Sequence, residues 1–257
     1  MSSCPHGSLR IVGLGPGPLD WLTPEAETIL AEASDLIGYK PYLDRITPKP
    51  GQTLHASDNR VEIERARLAL QLAAEGKSVA VVSGGDPGIF AMAAAVFEAI
   101  EQGEPTWADL DIHVAPGVSA MQAAAAKVGA PLGHDFCAIS LSDNLKPWSL
   151  VERRLKAACE GDFVIALYNP ASKARPEAIY KAFTLLRTHK PAQTPIVFAR
   201  AVGRPDERII ITTLAEAEPG CADMSTLVLI GSSTTRLIAR TQTQPFVYTP
   251  RGMGVTS

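Results

Sequence analysis

The pattern of apolar and polar positions divides the chain into alternating short runs. Residues 9–14 (LRIVGL) form an apolar run that stops in Gly13-Leu14-Gly15-Pro16-Gly17-Pro18. An apolar run of that length, ended by Gly and Pro, predicts a buried strand. Residues 24–33 predict a helix: Thr23 suits the N-cap, Pro24 suits the first helical position, and Glu25 and Glu27 favour its positive end. Residues 35–39 predict a second strand. Across residues 61–74, Ile63, Ala66, Leu70 and Ala73 fall on one side of a helix. Residues 79–83 (VAVVS) read as a buried strand that enters Gly84-Gly85-Asp86-Pro87. A helix over 89–101 and a strand over 111–115 complete this part. Such alternation predicts a parallel sheet covered by helices.

Beyond Pro116-Gly117 the pattern changes. Helices are predicted over 119–128, 150–159 and 175–188, and strands over 163–168, 195–199, 208–212 and 226–230. Only a short loop separates Ala199 from Arg208. A parallel crossover needs a longer connection, so this part predicts a mixed sheet. No low-complexity linker or internal repeat interrupts the chain. The expected fold is therefore α/β, with two α/β domains at 1–116 and 117–257. The N-terminal sheet should be mainly parallel and the C-terminal sheet mixed. Ligands of such sheets sit beyond the carboxyl ends of the strands. The turns after Leu14 and Ser83 occupy that kind of position.

Composition narrows the function. The chain has 257 residues, 46% hydrophobic and 20% charged, with a formal net charge of -3. That length builds a real core, and the charge carries no basic footprint for nucleic acid. No apolar run reaches the length of a membrane span, and MSSCPHGS lacks the features of a secretory signal. The expectation is a soluble cytoplasmic protein without nucleic-acid or membrane partners. Its four cysteines, Cys4, Cys137, Cys159 and Cys221, form no C-x-x-C pair. They read as reduced thiols, with no metal site. Cys4 lies two residues from His6, but a polar N-terminal tail is the plainer reading of that pair.

Several turns carry candidate chemistry. Gly13-x-Gly15-x-Gly17 follows a strand, yet Pro16 has no N–H to give a phosphate and resists helix continuation. A rigid turn and a ligand contact both remain open there. Gly84-Gly85-Asp86-Pro87-Gly88 is more specific, since glycines admit positive φ and close backbone approach. Asp86 could bind a hydroxyl, move a proton, or merely cap the next helix. Ser119, after Pro116-Gly117, is a cap or a polar ligand contact. Lys173, Arg175 and Arg204 lie in loops and suit carboxylate recognition. His134, beside Asp135 in a Gly/Pro-rich stretch, is the one histidine singled out. Walker, nucleophile-elbow and zincin patterns are absent.

Taken in order, GLGPG (13–17), SGGDPGIF (83–90), APGVSA (115–120), GAPLGHDF (129–136), LYNPAS (167–172), VFARAVGRPDERIIITTL (197–214) and STLVLIG (225–231) resemble the tetrapyrrole methylase family. The resemblance spans nearly the whole chain. Within the family, ISLSDNLKPW (139–148) and YNPAS look like the branch that methylates C17 of precorrin-3B. Uroporphyrinogen C-methyltransferases typically carry Met-Gly where Tyr168-Asn169 stands.

The resemblance implies two α/β domains with S-adenosylmethionine in the cleft between them, in a homodimer. It implies cofactor contacts at Pro16, Gly84, Gly85, Asp86, Ile89, Ser119, Ala120, Tyr168, Ala201 and Thr226. It implies conversion of precorrin-3B, a tetrapyrrole rich in carboxylates, to precorrin-4 by methylation and ring contraction. Contraction needs proton transfer, and the candidates are Asp86, Ser83, Lys173 and His134. No Cys-rich extension is present, which favours the cobalt-free substrate. The alternatives are a cobalt-factor III C17-methyltransferase or another family member, diphthine synthase, and a corrinoid carrier without catalysis.

Overall fold

A computed structural model describes residues 7–58, 61–172 and 175–252. The chain divides into two compact units, Met1–Ala120 and Met121–Ser257. Cys4 and His6 lie outside the described residues, as does Lys173.

In the first unit, β1 (Ser8–Gly13), α1 (Pro24–Glu32), β2 (Asp35–Tyr39), α2 (Lys40–Leu43) and β3 (Thr53–Ser57) come first, followed by α3 (Glu62–Ala74), β4 (Ser78–Ser83), α4 (Met92–Glu101) and β5 (Asp111–Ala115). Five strands form one sheet in the order β3-β2-β4-β1-β5, and every pairing is parallel. The period-2 alternation of a strand explains the two cores. Leu9, Ile11, Val79 and Val81 face α3 and α4, packing with Ala66, Leu70 and Val96. Val12, Ala80 and Val82 face the other way, with Ala26 and Leu30 of α1 and Leu43 of α2. Both sheet faces are covered, which is why these strands read as continuous apolar runs. Thr23 does cap α1: its hydroxyl accepts from Ala26 N–H at 3.1 Å.

Asp35 anchors the amino end of β2, where it is 3% exposed. Its carboxylate meets His55 Nε2 at 2.7 Å, the Ser34 hydroxyl at 2.8 Å and Lys77 Nζ at 3.5 Å. Burial alone raises its pKa, but His55, Ser34 and Lys77 together outweigh burial and hold it below the ordinary 3.8. A depressed folded-state value gives stability above pH 3.8 that disappears as pH falls through the folded value. Asp35→Asn is expected to lower the urea midpoint at neutral pH. Its curve should converge on wild type in acid below the carboxylate range, and a constant gap across pH would contradict this role.

The second unit follows α5 (Ala120–Val128), whose first residue closes the first unit. It contains β6 (Gly129–Ala130), β7 (Phe136–Ser140), α6 (Trp148–Glu160), β8 (Val164–Tyr168) and α7 (Ala178–His189), then β9 (Pro195–Arg200), β10 (Arg208–Thr213), β11 (Thr226–Ile230), β12 (Arg236–Ile238) and β13 (Phe246–Tyr248). The main sheet runs β10-β9-β11-β8-β7. Only β7 and β8 pair in parallel; β10 with β9, β9 with β11 and β11 with β8 are antiparallel. The mixed sheet expected from the short 199–208 connection is present. Helices α6 and α7 cover it through Leu155, Ile179, Phe183 and Leu186, and Phe183 stacks on Phe198 at 5.8 Å. A small sheet, β12-β13-β6, completes the unit.

Cys137, Cys159 and Cys221 are unbridged. Burial, with Cys159 beside it, pushes the Cys137 thiol up to about 11. It is therefore no nucleophile at neutral pH. Among the described residues, no helix is long and apolar enough to cross a membrane.

Candidate active site

In the first unit, three strand ends stand side by side. Gly13 of β1 pairs with Ser83 of β4, and Val12 pairs with Ala115 of β5. Each strand then leaves through a Gly- or Pro-rich turn, so three turns share the carboxyl edge where ligands of parallel sheets bind. The first two are stitched together. Leu14 N–H donates to Ser83 O at 2.9 Å, Gly15 N–H to Gly85 O at 3.2 Å, and Gly85 N–H to Gly15 O at 3.1 Å. Gly85 takes φ +70, in the left-handed region that a side chain disfavours. The third turn packs against both: a Cβ on Gly117 would collide with Gly85 O and lie 2.9 Å from Gly13 Cα.

Asp86 fastens this arrangement. Its Oδ1 accepts from Gly88 N–H at 2.8 Å and its Oδ2 from Gly117 N–H at 3.1 Å. One oxygen tightens its own turn and the other ties that turn to the next. Helix α4 begins only at Met92, with Ala91 in the cap position and no side-chain cap. The N-cap reading of Asp86 is therefore corrected, because residues 87–91 separate it from the helix. Asp86→Ala should leave the protein folded, lower stability by about 2 kcal/mol and impair turnover. Asp86→Asn should recover part of the loss, since it retains one acceptor oxygen. Urea unfolding alongside rate measurements checks both, and unchanged activity in Asp86→Ala would remove the residue from the site.

The other first-unit candidates collect at the same edge. Pro16, Ser83 and Ser119 are buried, while Gly84, Gly85, Ile89 and Ala120 are half-buried. A side chain on Gly84 would strike the Tyr42 ring at 2.7 Å. Sequence reasoning missed Arg45, which follows α2. Its Nη1 donates to Gly15 O at 3.0 Å, and its Nη2 donates to Leu14 O at 3.0 Å and Gly17 O at 2.9 Å. The Gly/Pro turn offers carbonyls that no helix or strand satisfies, and a planar guanidinium reaches several at once. Nothing in its own surroundings, LDRITPKPG, marks that role.

The second unit has a comparable edge. Ser140, Tyr168 and Arg200 end β7, β8 and β9, and Thr226 opens the antiparallel β11 opposite Arg200. Tyr168, Ala201 and Thr226 therefore share one end of the sheet. The Tyr168 hydroxyl accepts from Met121 N–H at 3.1 Å, at the start of α5, where N–H groups lack intrahelical partners. Asn169 Nδ2 donates to Ser140 Oγ at 2.9 Å. Ala201 N–H donates to Ser225 O at 2.9 Å. The Thr226 hydroxyl donates to Asp223 at 2.8 Å, and Arg200 Nε donates to the same carboxylate at 2.8 Å. Burial raises the Asp223 pKa, but these bonds outweigh it and hold the group below the ordinary carboxylate value. Arg200 also pairs with Asp206 at 2.7 Å, so it is occupied structurally.

Backbone strain marks these edges. Among the described residues, non-glycine positive φ occurs at Phe90 (+52), Asp162 (+51), Asn169 (+51) and Ala201 (+49). Each costs about 1 kcal/mol and persists where surrounding contacts over-determine it, commonly at functional sites. Phe90, Asn169 and Ala201 all lie in loops leaving the carboxyl ends of strands.

His134 does not join them. It precedes β7, at the amino end of that strand, and its Nδ1 accepts from Asp135 N–H at 2.7 Å. The length of β7, about 17 Å for five residues, separates it from the Tyr168 edge. The sequence placed His134 among candidate acids because of its Gly/Pro setting; strand direction puts it at the opposite end of β7 from the Tyr168 edge. Lys173 lies outside the described residues.

Comparisons with known proteins agree with this architecture. The family model for Tetrapyrrole (Corrin/Porphyrin) Methylases matches residues 8–218. A precorrin-3B C(17)-methyltransferase of Sinorhizobium sp is 56% identical over 245 residues, covering 95% of this chain and 96% of that protein. A probable cobalt-factor III C(17)-methyltransferase of Salmonella typhimurium is 40% identical over 246 residues, covering 95% and 98%. The crystal structure of the methyltransferase CobJ superposes with a TM-score of 0.90 at 52% identity, covering 95% of this chain and 100% of that one.

Proposed function

Because the chain belongs to the tetrapyrrole (corrin/porphyrin) methylases, we propose that it transfers a methyl group from S-adenosylmethionine to C17 of precorrin-3B, with ring contraction to precorrin-4 in cobalamin biosynthesis. The observation that carries this reading is the 56% identity, over nearly the full length of both chains, with a protein of that name. The cobalt-factor III relative stands at 40%, which favours the cobalt-free substrate.

The residues fit the donor. From the first unit we assign Pro16, Gly84, Gly85, Asp86, Ile89, Ser119 and Ala120 to donor binding, and from the second Tyr168, Ala201 and Thr226. Gly84, Gly85, Ser119, Ala120 and Ala201 offer backbone polar groups beside small side chains, and φ is positive at Gly85 and Ala201. When bound, S-adenosylmethionine supplies an electrophilic methyl on a sulfonium. The chain needs to hold that methyl in line with C17 and exclude water. Asp86, with both oxygens engaged by backbone N–H groups, acts in positioning before proton transfer. Ser83 and Lys173 stay as acid–base candidates for the contraction. The same reading puts the chain in the cytoplasm as a homodimer, without nucleic-acid or membrane partners.

Incubation with S-adenosylmethionine and precorrin-3B should yield S-adenosylhomocysteine and a product heavier by one methyl group. Turnover of uroporphyrinogen III but not precorrin-3B overturns the branch assignment. Preference for cobalt-factor III overturns the cobalt-free substrate. Retention of a tetrapyrrole without consumption of the donor means a carrier.

A further inference from the structure

The loop between β8 and α7 holds two polar groups that the fold leaves unmet. Among the described residues, Ser172 Oγ and Arg175 Nη1 are buried and find no hydrogen-bond partner. Orphan polar atoms inside a protein are rare, because leaving one unpaired costs free energy. Here two occur together. Ser172 N–H donates to Arg175 O at 3.3 Å, and Arg175 N–H donates to Ser172 O at 3.0 Å. This is an isolated antiparallel bridge, and directly opposed residues in such a pair put their side chains on one face. A hydroxyl and a guanidinium edge on one face match the two oxygens of a carboxylate.

One carboxylate is near but does not complete the site. Asp143 Oδ1 lies 3.4 Å from Arg175 Nη1, close enough for an ion pair yet without hydrogen-bond geometry. Asp143 is more exposed than its partner, 39% against 17%. It belongs to the loop after β7, and β7 and β8 pair in parallel, so both loops leave the edge that carries Tyr168. The Asp143 loop also carries Lys146, whose pKa is lowered by burial and then by the charge of Arg154.

We propose that Arg175 and Ser172 bind one peripheral carboxylate of the substrate, and that Asp143 holds Arg175 until that carboxylate displaces it. The identity of the ligand as a tetrapyrrole acid rests on the function proposed above; the unmet pair does not. The two residues orient the macrocycle and take no part in bond making, so loss should fall on KM rather than kcat.

The test uses the full chain with two probes, a porphyrin octacarboxylate and its octamethyl ester, followed by fluorescence quenching. Wild type should bind the acid more tightly than the ester. Ser172→Ala and Arg175→Lys should each weaken acid binding about tenfold and leave ester binding unchanged. Asp143→Asn should tighten acid binding. Ser172→Ala should not lower the urea midpoint, because it removes an unpaired buried hydroxyl. Equal acid affinity in wild type and both weakening variants, no preference for the acid, or no probe binding at all overturns the subsite. A lowered urea midpoint with unchanged affinity makes the pair structural. Binding is read without turnover, so the subsite and the methyl transfer can fail separately.

Discussion

Gly117→Ala is expected to cost about 3 kcal/mol of stability and to lower turnover at least about a hundredfold. The added Cβ would meet Gly85 O and Gly13 Cα, which belong to the backbones of the other two turns. A side chain in that space cannot be accommodated by a rotamer change; a turn must move. Any movement also breaks the bond from Gly117 N–H to Asp86, 3.1 Å in the native turn. The control is Gly252→Ala, where a Cβ meets nothing within 4 Å, and it should stay within about 0.5 kcal/mol of wild type. Urea unfolding and formation of S-adenosylhomocysteine measure the two effects. Wild-type turnover in Gly117→Ala would show that the packing of the three turns is irrelevant to the site.

Much of this edge was legible because its strands are buried on both faces. The VAVVS run at β4 is short, β-branched and bounded by glycines, which favours an interior strand, and the glycines after it need a reason for close approach. The same logic does not reach β3, whose Thr53–Ser57 carries exposed and half-buried residues and no apolar alternation. It exists because β2 offers it a partner. The strand β6 is two residues long and is defined by β13, far away in sequence. Helix starts slipped for similar reasons. Helical spacing suggests that α4 begins at Ile89, but Phe90 takes a left-handed conformation and delays it to Met92. Arg175 was expected to open α7; its bridge to Ser172 holds it in the loop, and the helix starts at Ala178. His134 shows the limit most plainly. A Gly/Pro-rich setting says that a residue lies in a loop, but only strand direction says at which end of the sheet.

Arg45 carries the other large expectation. Arg45→Met should cost about 3 kcal/mol and raise the KM for S-adenosylmethionine at least tenfold. The guanidinium donates to Leu14 O, Gly15 O and Gly17 O, so the variant takes a donor from each of these partly buried carbonyls and leaves Gly15 O only the Gly85 N–H. Pro16, between them, cannot rearrange to help, because its φ is fixed and it has no N–H. Arg45→Lys keeps the charge but replaces a planar fork with a single nitrogen. It should recover only part of the loss, and the KM for precorrin-3B should change less than that for the donor. If lysine restored wild-type behaviour, the effect would be electrostatic and the three directed bonds would not matter. If both variants lost stability without a change in KM, Arg45 would brace the fold alone. The expected split follows from geometry: these three carbonyls belong to the turn bonded to the Gly85 turn. Releasing the first turn therefore loosens the neighbour that Asp86 holds in place.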